Sequence, residues 1–320
     1  MGLLLALLVV FSFSLTQGSV QLSWREFGLA LMKEGDPRYQ VIVWDLRLPR
    51  VVAAMIVGSA LGLSGALLQG MLRNGLASPF LLGISAGSGL VAVAVLGLGI
   101  WQIWLPLGAW LGGVATIVLV YFLARTGTGI SVERLILGGV ALSTLFGAVQ
   151  SMLLLLSPDG QAQAALSWLI GSLNGRGWQE LVVVAPSVLV SLVAGCLLAR
   201  QLNVLSLGDD LAVGLGSSLM RSRILIGAVA TLLAAGAVSI AGLVGFVGLI
   251  VPHGVRLLVG TDYRLVLPFS ALGGAFVLSV ADLLARLGPT EVPVGIVTAV
   301  MGSPVFLWLL YRRKSSVGGL

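Results

Sequence analysis

From Ile224 to Pro252 the chain runs for 29 residues without a charged side chain. No water-facing helix tolerates such a stretch, and a membrane span takes only about 20 apolar residues, range ~17–25. The run is therefore too apolar for a soluble fold and too long for one crossing. Its inner glycines, Gly242, Gly245 and Gly248, are where the backbone can reverse. The run reads as two membrane elements, the second one short.

The rest of the chain agrees with that class. Hydrophobic residues make up 58%, charged residues 9%, and the mean hydropathy is +1.08. Soluble domains carry about 25% charged residues, so this chain cannot cover a water-facing surface. Eight further apolar runs are Gly2–Leu15, Val51–Gly70, Leu81–Ile100, Trp104–Ala124, Leu135–Leu156, Leu181–Ala199, Leu265–Leu284 and Val294–Leu310. With the divided run they give about ten transmembrane helices, an all-α membrane protein read as one domain over 1–320. Gly2–Leu15 lacks a basic leader and a small-x-small cleavage site, so it is read as a retained first span.

An even number of spans places both termini on one side. The tail Arg312-Arg313-Lys314 makes that side cytoplasmic. Eleven cations then lie inside and seven outside, the latter Arg25, Lys33, Arg38, Arg47, Arg50, Arg176 and Arg286. The outside arginines oppose the insertion preference and need another reason to be there. The longest inner loop is 201–223, the longest outer one 17–48. Residues 164–173, apolar with Trp168, read as a short interfacial helix.

Gly58, Gly62, Ala66 and Gly70 recur every fourth residue on one apolar helix. They form one face on which a neighbouring backbone can approach closely. Chemistry-bearing residues are sparse. Cys196 is the one cysteine and His253 the one histidine, which excludes an intrachain disulfide and a multi-histidine metal site. There is no Walker A or HExxH pattern, which removes those two hydrolytic signatures. The basic balance lacks clustered cations interleaved with stacking aromatics, which argues against nucleic acid. Mid-span positions are almost free of charge, unlike a proton-coupled carrier. Asp282 and Arg286, four apart, can pair near a span end. His253 reads as a capping or packing residue. In the inner loop, Asp209 and Asp210 are placed to start a short helix. Leu211, Ala212 and Leu215 would form its apolar face, for docking a partner or lying on lipid headgroups.

Eight ordered segments resemble the permease subunits of the FecCD family of binding-protein-dependent ABC importers. They are Arg47-Leu48-Pro49-Arg50; Gly65-Ala66-Leu67-Leu68-Gln69; Arg73-Asn74-Gly75-Leu76-Ala77-Ser78-Pro79; and Leu82-Gly83-Ile84-Ser85. Then come Leu207-Gly208-Asp209-Asp210 with Ala212 and Leu215-Gly216; Gly245-Phe246-Val247-Gly248-Leu249-Ile250-Val251-Pro252-His253; Asp282-Leu283-Leu284-Ala285-Arg286; and Pro293-Val294-Gly295-Ile296-Val297-Thr298. One departure is Gly75, where the family usually has proline.

The resemblance implies the type II ABC importer permease fold and alternating access. It implies an iron-siderophore-type chelate as cargo, with haem or vitamin B12 as alternatives. The partners implied are a second permease subunit, two ATP-binding subunits and a periplasmic binding protein, in the inner membrane. The permease itself is not an enzyme and holds no cofactor or metal; ATP and magnesium belong to the ATP-binding subunit.

By resemblance, Arg47, Arg50 and Arg286 dock carboxylates of the binding protein. They are expected at an exposed rim, where single changes are mild. Arginine's planar fork suits that task. Leu207, Gly208, Asp209, Asp210, Leu211, Ala212, Leu215 and Gly216 match the coupling helices that fit the ATPase. The loop before the fifth helix, with Ser131, Val132 and Glu133, matches an inner gate. The segment Trp168-Leu169-Ile170-Gly171-Ser172-Leu173-Asn174-Gly175 with Trp178 is similar to the siderophore branch, or else only packs on its neighbours. A stand-alone secondary transporter would need buried mid-span charges, and a non-transporting membrane anchor would have no use for outward arginines.

Overall fold

A computed structural model describes residues 2–18, 20–126, 129–288 and 290–317, with the side chains of 126, 129–130, 309–310 and 312–317 left out. The tail cations Arg312, Arg313 and Lys314 thus fall outside the described side chains.

Among the described residues, fifteen α-helices follow one another: α1 (Gly2–Thr16), α2 (Trp24–Leu31), α3 (Pro37–Val41), α4 (Leu48–Met71), α5 (Ile84–Gly97), α6 (Leu105–Ala124), α7 (Val132–Leu156), α8 (Asp159–Ile170), α9 (Trp178–Leu197), α10 (Ala199–Ser206), α11 (Asp209–Gly214), α12 (Leu219–Ala241), α13 (Val247–Val259), α14 (Tyr263–Ala285) and α15 (Val294–Val317). Six helical stretches are long and apolar enough to cross a membrane, the first being the continuous Pro37–Met71. Four shorter apolar helices, α1, α5, α13 and the start of α15, bring the apolar helices among the described residues to ten, the number the sequence suggests.

The 29-residue run divides as its glycines require. Helix α12 ends at Gly242, whose φ of 71° is open to glycine, and α13 restarts after Phe246. The chain enters α4 through a π-helical turn, Ile42–Arg47, in which the Leu48 N–H donates to Val43 O. Pro49 explains the wide turn. It has no N–H to give Asp45, so the regular ladder is already broken there. The outer loop 17–48 is consequently much shorter than the sequence suggests.

Helix α4 is the hub. It packs on α14, α12 and α13, and nearly its whole length is buried. A Cβ on Gly58 would overlap Gly274 O, and one on Gly62 would overlap Ser270 O. Only bare backbone fits those crossings. The four-residue row does not face a single helix, however. Gly70 meets Leu202 and Tyr263, and Ala66 is buried. The α13 crossing falls on Gly65, where an added Cβ would collide with Gly248 O. Helix α7 is the opposite case: only Leu135 and Gly139 are buried along it.

Helix α8 begins five residues before the sequence suggests and packs inward. Trp168 is buried with Ala92, Leu105, Ala109 and Val238. Ser172 N–H donates to Ala241 O at 2.8 Å, Gly295 N–H to Gly171 O at 3.0 Å, and Trp178 Nε1–H to Trp44 O at 2.9 Å. The segment 168–178 therefore ties helix ends together.

Candidate functional sites at the two ends of one helix

Helix α4 carries charge only beyond its apolar stretch, with Arg47 and Arg50 at its start and Arg73 just after its end. Twenty-four helical residues span about 36 Å, enough to place the two groups on opposite membrane faces.

At the N-terminal end, Asp282 sits between two guanidinium groups. Arg50 Nε donates to Asp282 Oδ1 at 2.9 Å, and Arg50 Nη1 to Glu291 Oε2 at 2.9 Å. Arg286 Nη2 lies 2.9 Å from Asp282 Oδ2. Arg286 also donates from Nε to Asp282 O at 3.2 Å and from Nη1 to Ser14 O at 3.0 Å. Arg47 donates from Nη1 to Leu15 O at 2.8 Å and from Nη2 to Val20 O. All three arginines are buried. This corrects the expectation of an exposed rim: the α1–α2 connection and the α14–α15 loop cover them, because their guanidinium groups satisfy carbonyls and carboxylates there. The anticipated Asp282–Arg286 pair forms, widened to include Arg50 and Glu291.

Arg47, Arg50, Arg286 and Glu291 line a pocket of about 320 Å³, together with Asp45 and the turn Asn174–Gly177. Arg176 enters it as a fourth arginine. The sequence places Arg176 among the disfavoured outside cations, the same signal that singles out the other three, yet no family motif marks it. Burial lowers its pKa, partly opposed by Glu180.

At the C-terminal end, Asp209 begins α11 and accepts three hydrogen bonds. Arg223 Nη2 reaches Oδ1 at 3.0 Å and Oδ2 at 2.8 Å, and Arg73 Nη2 reaches Oδ1 at 3.0 Å. Arg223 stands near the start of α12 and is buried. One carboxylate thus joins α11 to both α4 and α12. Asn203 of α10 binds Asp262 Oδ1 at 2.7 Å and accepts from Tyr263 N–H at 3.0 Å, fixing the same loop to α14. The Asp262 carboxyl is held below its ordinary pKa by the Arg264 backbone N–H and then by Asn203.

Leu207, Leu211 and Leu215 are 56%, 61% and 65% exposed; Leu211 and Leu215 stand one turn apart as an outward ridge, and Leu207 precedes them across Gly208. Ala212, expected on that face, is fully buried and points the other way, since it follows Leu211 by only about 100° of turn. Gly208 and Gly216 bracket α11 at φ of 111° and 78°, while Asp210 is exposed.

Before α7, a two-residue hairpin pairs Arg125–Thr126 with Gly129–Ile130. Ser131 Oγ then caps α7 by accepting from Arg134 N–H at 3.3 Å. Val132 is half-buried and Glu133 exposed in the first helical turn.

Residues 5–312 match the FecCD transport family. The chain belongs to that family. A hemin transport system permease, HmuU of Yersinia pestis, is 38% identical over 331 residues, covering 100% of this chain and 97% of its own. A cobalamin import system permease, BtuC of Halobacterium salinarum, is 44% identical over 86% of this chain and 74% of its own. A solved metal-chelate type ABC transporter in an inward-facing conformation superposes with a TM-score of 0.88, at 34% identity, over 97% of this chain and 98% of that one. This FecCD protein is accordingly a multi-pass membrane permease of an ABC importer, and permease subunits are not themselves enzymes.

Proposed function

We propose that this permease pairs with a second permease subunit on two ATP-binding subunits. It takes an iron-siderophore-type chelate from a periplasmic binding protein and delivers it to the cytoplasm by alternating access. Both termini are cytoplasmic in this arrangement, and the membrane is the bacterial inner one. The arginine pocket receives carboxylates of the binding protein. Leu207 and the ridge of Leu211 and Leu215 seat in the ATPase, and Ser131–Glu133 lies at the inner gate.

One observation carries this reading: α4 links a four-arginine pocket at one end to an exposed leucine ridge, clasped through Arg73 and Asp209, at the other. A movement imposed on the ridge by nucleotide would be transmitted along a helix whose backbone touches α13 and α14. The pocket's arginines account for cations placed against the insertion preference. Relatives carrying hemin and cobalamin support a bulky metal chelate and leave the choice among chelates to experiment.

The test is calorimetry of the cognate binding protein with ferric siderophores, haem and cobalamin, followed by capture of this permease with its ATPase on the loaded protein. Tight binding of a ferric siderophore supports the reading. Preference for haem or cobalamin replaces the cargo, and failure of the permease to bind the loaded protein overturns the docking role.

A further inference from the structure

The three arginines of the family motifs are already engaged within this chain. Arg50 is held by Asp282 and Glu291, Arg286 by Asp282 and Ser14 O, and Arg47 by Leu15 O and Val20 O. Arg176 differs from them. Its guanidinium makes no hydrogen bond or ion pair among the described residues, and its Nε is buried without a partner. The carboxylate that influences it most, Glu180, accepts from the N–H of Gly177 at 2.9 Å, capping α9. Arg176 nevertheless lines the pocket that opens beside the engaged three.

Arg176 is half-buried, and its buried Nε–H, left without an acceptor, carries a cost that an incoming acceptor would relieve. The pocket keeps a positive balance: Arg47 is satisfied by neutral carbonyls, and the four arginines on the lining outnumber its two carboxylates, Asp45 and Glu291. The pocket volume of about 320 Å³ admits a carboxylate side chain on its stem. Gly175, with φ of 70°, turns the chain just before Arg176, and Arg176 N–H is tied to Leu173 O at 3.3 Å, so the side chain is presented from a fixed turn.

We propose that Arg176 is the residue that takes up an incoming carboxylate of the binding protein, with Arg47, Arg50 and Arg286 shaping and charging the pocket around it. This rests on the docking role proposed above and adds the specific donor of the contact. It predicts that the partner surface presents an Asp or Glu to the 174–177 turn, and that the guanidinium engages through two parallel donors.

The experiment measures affinity of the cognate binding protein, cargo-free and cargo-loaded, for the reconstituted transporter at low and moderate salt. Wild type is compared with Arg176→Gln and Arg176→Lys, with thermal melting of each purified assembly as the check on folding. The expected result is roughly tenfold or greater weakening in Arg176→Gln for both forms of the binding protein, a shallower salt dependence, and partial retention in Arg176→Lys. Unchanged affinity in Arg176→Gln with salt-dependent wild-type binding overturns the role of Arg176 and leaves the docking proposal standing. Weakening of the loaded form alone shows that Arg176 meets the cargo instead, and overturns it too. No binding by wild type removes both. If Arg176→Gln melts early, Arg176→Lys and charge reversal of the partner carboxylate become decisive: rescue of Arg176→Glu by an arginine there supports the contact, and its failure overturns it.

Discussion

Asp209, the first residue of α11, holds the Arg223 guanidinium with both carboxylate oxygens, at 3.0 and 2.8 Å. Arg223 is buried near the start of α12, while Arg73, the second cation on the same carboxylate, is largely solvated. The two pairs are therefore unequal. An exposed pair is worth about 0–1 kcal/mol, whereas removing a carboxylate from a buried cation costs more.

Asp209→Asn should keep the subunit inserted but loosen α11 from α12. The expected readout is a lower ratio of chelate transported to ATP hydrolysed, with Arg73→Ala much milder than Asp209→Asn. Equal ratios in all three proteins would show that the clasp plays no part in coupling.

The exposed ridge gives a second prediction. Leu211→Asp and Leu215→Asp should each abolish co-purification of the ATP-binding subunit while membrane insertion persists, because both side chains project outward. Ala212→Asp should instead destabilise the permease itself, since a carboxylate would be forced into a site with no exposure. Wild-type uptake in Leu215→Asp would place the ridge on lipid headgroups.

Gly58 and Gly62 tolerate no side chain where α4 crosses α14. Even Gly58→Ala should cost about 1–3 kcal/mol through overpacking, and Gly62→Leu should prevent assembly. Gly28→Ala is the matched control, because its added Cβ meets nothing within 4 Å. Thermal unfolding in detergent separates them. Equal stability of Gly58→Ala and wild type would contradict the crossing.

Arg50→Ala breaks a pair in which Asp282 is almost wholly buried; Asp282 keeps Arg286, so the loss should fall below the roughly 3–5 kcal/mol of a fully orphaned buried charge. Arg50→Ala with Asp282→Asn should recover part of that loss. A mild effect of Arg50→Ala on melting, combined with loss of binding-protein affinity, would show that Arg50 faces the partner.

Much of the architecture is legible in the sequence because bilayer thickness fixes span length. The ten apolar helices follow from run lengths, and the break at Gly242 follows from an uncharged run too long for one crossing. The π turn at Ile42–Arg47 is not legible, since Pro49 only shows where the ladder fails, not how it is bridged. Burial of Arg50 depends on Asp282, 232 positions away, and no local spacing announces that meeting. Ala212 falls on the wrong face in a sequence reading because composition does not say which side of a six-residue helix faces in. Arg176 stands out there only as a cation on the disfavoured side; its unused donors emerge once the chain has folded around it.

The most direct test of the central claim is chelate uptake into proteoliposomes holding this permease with its ATP-binding subunit. Accumulation of a ferric siderophore that requires both ATP inside, on the ATPase side, and loaded binding protein outside is the predicted result. Accumulation that proceeds without ATP, driven by an ion gradient alone and indifferent to the binding protein, would contradict it.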